Sequence, residues 1–103
     1  MRKKGRRAED IRRKQMHEIL DLVLDINGLQ ASRKAFTGSH PTAFLRLNGH
    51  VGTVEVKVYR SGWFSGCGGP DVTMNGPFHG ENPVYREQSL SEIIEALKAE
   101  KGR

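Results

Sequence analysis

The sequence predicts a small α+β domain of order α-β-β-(β)-α. Its antiparallel sheet is a central hairpin plus one or two short strands, packed by an N-terminal and a C-terminal helix. Three observations carry this expectation. Apolar residues recur at helical spacing after a basic start, TAFLRLN and TVEVKVYR alternate around a Gly-containing turn, and SLSE opens a second amphipathic run. At 103 residues the chain has room for one domain. It divides into a basic N-terminal arm over residues 1–10 and an α+β domain over residues 11–103.

The first helix is expected from about Glu9 to Asn27. Met16, Ile19, Leu20, Val23 and Ile26 fall on one face, and Leu22 and Leu24 widen it. Glu18, Asp21 and Asp25 mark the wet side. Asn27-Gly28 reads as the stop, with Gly28 in the left-handed position and Leu29 making the following apolar contact. Residues 30–41 read as a loop anchored by Phe36.

In the first strand Ala43, Leu45 and Leu47 share a side. In the second, Val54, Val56 and Val58 do. Parity restricts the connection between them. A two-residue Asn48-Gly49 turn or a four-residue Gly49–Gly52 loop keeps the Leu and Val faces together, whereas an odd loop separates them. The opposite face then holds Phe44, Arg46, Glu55, Lys57 and Tyr59, with both helices on the apolar side.

Residues 61–83 are rich in Gly and Pro, with short strands expected at Val72-Thr73-Met74 and Val84-Tyr85-Arg86. Ser89 and Glu92 form a capping box. Leu90, Ile93, Ile94 and Leu97 give the last helix a narrow apolar stripe, ending near Gly102.

Charge is concentrated at one end. Residues 1–14 hold eight basic side chains against two acidic, a net +6. The other 89 residues hold nine basic and ten acidic, a net −1, for the total of +5. An expected nucleic-acid contact therefore falls on Arg2, Lys3, Lys4, Arg6, Arg7, Arg12, Arg13 and Lys14. An acidic protein surface is the other partner such an arm would suit, and a solvated tail the plain alternative. Basic residues at a helix start oppose its dipole, which favours reserving them for a partner.

A second candidate surface is the Gly-rich segment with its aromatics. Tyr59, Trp63 and Phe64 are expected to bind a partner, which makes a protein-interaction or inhibitor protein, using segment 61–83 and the open sheet face, the alternative function. Trp63 has a competing reading as a cap on the open end of the core.

No catalytic residue, metal site or cofactor is expected. Cys67 lacks the strand–turn–helix setting of a strained nucleophile. His17, His40, His50 and His79 stand singly, without ligand spacing. One cysteine excludes an internal disulfide. MRKKGRR is followed by charged residues where a secretory signal would be apolar, and no stretch spans a bilayer, so a cytoplasmic location is expected. Small size, a charged arm and no catalytic signature are also typical of accessory proteins encoded by bacteriophages and other mobile elements.

The segment NGHVGTVEVKVYRSGWFSGCGG within an α-β-β-β-α order resembles the double-stranded RNA-binding domain. That resemblance implies recognition of A-form shape. The family opens its last helix with lysines, and here SLSEIIEA is acidic, so no binding residue carries over.

Overall fold

A computed structural model describes the backbone of residues 2–29, 40–78 and 89–103, with side chains from residue 9 onward in those spans. The expected Phe36 anchor, the strand at 84–86 and His79 lie outside the described residues. The order is α1 (Arg2–Asn27), β1 (Thr42–Asn48), β2 (Thr53–Tyr59), β3 (Val72–Pro77) and α2 (Leu90–Lys101). The strands form an antiparallel meander with β2 in the centre.

The hairpin takes the four-residue loop Gly49–Gly52, which sets Leu47 opposite Val54 and Asn48 opposite Thr53. Asn48 closes the loop, its carbonyl accepting from the amides of Val51 at 3.2 Å and Gly52 at 2.8 Å. That register puts Ala43, Val54, Val56, Val58 and Met74 on the face covered by the helices. Ile19, Leu22, Val23 and Ile26 of α1 join Leu90, Ile93, Ile94 and Leu97 of α2 above it. Burying a side chain such as Ile93 or Val56 contributes about 1.5–3 kcal/mol relative to leaving it in water.

The core stripe of α1 is narrower than its leucines suggest. Leu20 and Leu24 are exposed, because the helix meets a thin sheet on one side and a single helix beside it. Leu47 points to the core side but is 58% exposed, since it sits at the hairpin end of β1, outside the packed cluster. The helix also begins well before Glu9 and runs unbroken from Arg2.

At its other end α1 stops as expected. Gly28 has φ +72°, and its amide donates to the Leu24 carbonyl at 2.7 Å, a bond that closes the last turn. Leu29 does not make the apolar contact expected of it; it is 85% exposed. Asn27 does more than end the helix. Its side-chain amide donates to the Ala43 carbonyl at 2.9 Å, and its side-chain oxygen accepts from the Ala43 amide at 2.6 Å. One side chain thus stands in for a neighbouring strand at the edge of β1.

Helices α1 and α2 run in the same direction. Gln15 reaches Ser91 at 3.1 Å near the start of α2, and Asp25 reaches Lys101 at 2.9 Å near its end. Lys98 lies 3.6 Å from Glu18. Two of the three wet-side acids therefore bridge the helices. Ser89 caps α2, its hydroxyl accepting from the Glu92 amide at 3.2 Å. No described helix is long and apolar enough to cross a membrane.

Candidate nucleic-acid interface

The basic residues at the N-terminus belong to a continuous helix. At 26 residues α1 is about 39 Å long at 1.5 Å per residue. Among the described side chains the buried ones begin at Ile19, so the earlier half carries the basic residues and the later half the core. Arg2, Lys3, Lys4, Arg6 and Arg7 lie on its backbone, and their side chains are outside the described residues. Arg13 and Lys14 are exposed, and Arg12 is half-buried. Arg13 meets Glu9 one turn earlier at 3.4 Å, an exposed pair that constrains it weakly.

Arg12 and Arg13 also border a groove where α1 passes the hairpin end of the sheet. The groove encloses about 550 Å³, lined by Met16, Leu47 and Phe78 on its apolar part and by Glu9, Arg12, Arg13 and His17 on its polar part. Its apolar part accounts for the exposure of Leu47. The Phe78 amide is fixed to the Gly52 carbonyl at 2.8 Å, which holds this side chain beside the hairpin loop.

The open face of the sheet forms a separate surface. Phe44 stands directly across from Lys57, with Arg46 opposite Glu55 on the same face. Tyr59 and Trp63 both pack on Phe44 in edge-on geometry, with ring centroids 5.6 Å and 5.9 Å away. Trp63 gets there through a turn. The Gly62 amide donates to the Tyr59 carbonyl at 3.2 Å, and Gly62 takes φ +92°, which favours glycine. Trp63 is therefore not a cap on the core. It is half-buried against the outer face of the sheet and has no place in the core cluster.

Of the expected partner-binding residues, Tyr59 and Trp63 are brought together, and Phe64 stands exposed without a ring contact among the described residues. Sequence reasoning put Phe44 on the open face that the alternative function would use, without naming it among the partner-binding residues. Its alternation with Leu45 placed it on the open face, and its cross-strand position beside Tyr59 is the signal that identifies it.

The strongest electrostatic feature is elsewhere. Arg60, just after β2, bonds the Glu100 carboxylate twice, from Nε at 2.9 Å and from Nη2 at 2.8 Å. These hydrogen bonds hold the Glu100 carboxyl below its ordinary range against the opposing effect of burial. The bonds to Glu100 also raise Arg60. The Arg60 amide donates to Asp71 at 2.7 Å, and the Asp71 amide to the Val58 carbonyl at 2.9 Å, so this corner closes the entry to β3. Lys98 is raised by its bond to Glu95 and by the charges of Glu95 and Glu18.

Among the described residues no group of three or more His, Cys, Asp and Glu side chains is placed to hold a metal ion. Cys67 is a free, half-buried thiol. No family model matches the chain, and no curated protein or solved structure is significantly similar to it. The resemblance to the double-stranded RNA-binding domain thus rests on the short segment and the element order alone.

Proposed function

We propose that this chain is a small non-enzymatic binding module of the cytoplasm that contacts nucleic acid through the N-terminal half of α1. The observation that supports this reading is the unbroken helix from Arg2 to Asn27. In a continuous helix Arg2, Arg6 and Arg13 recur at spacings of 4 and 7, and so do Lys3, Arg7 and Lys14. Each set makes one row, and the two rows are neighbours. The core residues Ile19, Leu22, Val23 and Ile26 occupy the other side of the helix. Two rows of basic positions along one helix suit a phosphate backbone, where each contact releases counterions. The nearly neutral body leaves most of the phosphate affinity to this helix.

The test is a salt titration of binding to duplex and single-stranded oligonucleotides. It compares the chain with a full-length variant in which Arg2, Lys3, Arg6 and Arg7 are glutamine. Affinity should fall steeply with salt for the chain and shallowly for the variant. Equal affinity and equal salt dependence would exclude the arm as the contact.

A further inference from the structure

The open sheet face has the chemistry of a platform for unpaired bases. We infer that Phe44, Tyr59 and Trp63, flanked by Arg46 and Lys57, stack the bases of single-stranded nucleic acid. This deepens the proposed nucleic-acid reading and rests on it for the class of ligand.

Phe44 is 44% exposed although two rings already pack on it. Those rings meet it at 79° and 65°, so the three side chains hold one another in fixed orientations. A preformed aromatic cluster loses little conformational freedom when a flat ligand arrives. On the far side of β2, the β3 positions of this face, Thr73 and Asn75, are exposed and extend the open surface past Lys57 and Glu55.

The charges around the rings select the ligand. Lys57 lies directly across from Phe44, and Arg46 is two residues along the same strand. Lys57 is 3.8 Å from Glu55, the face's one carboxylate among the described residues. Arg46 is exposed and has no ion-pair partner among the described residues. A protein interface would place its charges at the rim and deplete them in the centre. Here Lys57, Glu55 and Arg46 sit in the middle of the face. Flat apolar surface interleaved with free positive charge matches a strand whose bases are unpaired and whose phosphates lie alongside. A closed duplex keeps its base faces stacked inside and has nothing to offer Phe44.

Trp63 is the only tryptophan, so its fluorescence reports on this face directly. The full chain is titrated with an oligothymidylate of about 12 nucleotides, within the usual range of single-strand site sizes, and with a duplex of equal length. The single strand should quench Trp63, and the duplex should not. Phe44→Leu should weaken single-strand binding about 10-fold, the order expected for one lost stacking contact. It should leave duplex affinity unchanged, and a retained melting transition shows that the variant is folded. Phe44→Tyr should retain single-strand affinity.

Absence of quenching, or equal single-strand affinity in Phe44→Leu, overturns the inference. If the variant with Arg2, Lys3, Arg6 and Arg7 as glutamine weakens while Phe44→Leu does not, the platform fails and the arm stands. If Phe44→Leu weakens while the arm variant does not, the arm fails and the platform stands.

Discussion

Arg60 and Glu100 form a two-pronged ion pair that ties the end of the central strand to the last turn of α2, with bonds of 2.9 Å and 2.8 Å. The two residues are 40 positions apart in the chain. Only 8% of the Glu100 side chain is exposed, so its charge depends on this partner. The planar guanidinium matches both carboxylate oxygens at once, a fit that lysine cannot reproduce.

Acid should weaken this tie in a defined window. Hydrogen bonds from Arg60 hold the folded Glu100 carboxyl below its ordinary value of 4.5. As pH falls, the unfolded chain takes up the proton first. The stabilisation is full above the ordinary value and is lost as pH drops through the lower folded value. The melting temperature should therefore fall with pH in that window. Glu100→Gln should melt lower at neutral pH and show a shallower acid slope. Parallel melting-against-pH curves for the two proteins would refute this.

Asn27→Ala should be costly for a surface-facing helix end. It leaves the amide and carbonyl of Ala43 without their partner. The expected loss is about 1–3 kcal/mol, or roughly 4–8 °C in melting temperature for each kcal/mol in a domain near this size. Asn27→Asp should cost as much or more, since its carboxylate accepts from the Ala43 amide but repels the Ala43 carbonyl. Chemical denaturation of the three proteins checks the order.

Core and surface apolar positions should separate cleanly. Ile93 is fully buried between the sheet and α1, so Ile93→Ala should cost about 2–5 kcal/mol. Leu29→Ala should stay within about 0.5 kcal/mol, because Leu29 touches water. Denaturant midpoints measured together decide it, and a large loss at Leu29 would contradict its exposure.

Salt dependence should be assignable residue by residue. Arg13→Gln and Lys14→Gln should each reduce the slope of log affinity against log salt by about 0.7–0.9, the value for one phosphate contact. Lys98→Gln and Lys101→Gln should leave the slope unchanged. Those lysines already face Glu18 and Asp25 across the helix pair.

Local chemistry made much of this fold legible. Parity around Asn48 and Gly49 restricted the hairpin, and the four-residue option is the one adopted. The capping box at Ser89 and the stop at Gly28 needed only neighbouring residues. What escaped the sequence depends on distant partners. Periodicity assigns Leu47 to the core side but does not say that the packed cluster ends before reaching it. Nothing near Arg60 announces Glu100. Asn27 was legible as a helix end and not as a surrogate strand, because Ala43 lies 16 residues on. Trp63 could have capped the core or lain on the open face. The turn at Gly62 sets its direction, and glycine spacing alone does not reveal it.

The continuity of α1 fixes a phase between charge and core. Helical residues advance by about 100° each. One uncharged residue inserted between Gln15 and Met16 would swing the basic rows a quarter-turn or so around the body, with net charge and core unchanged. Four inserted residues would restore the heading nearly and move the rows outward by about one turn. The direction in which the charges face is thus written in the count of residues between Lys14 and Ile19.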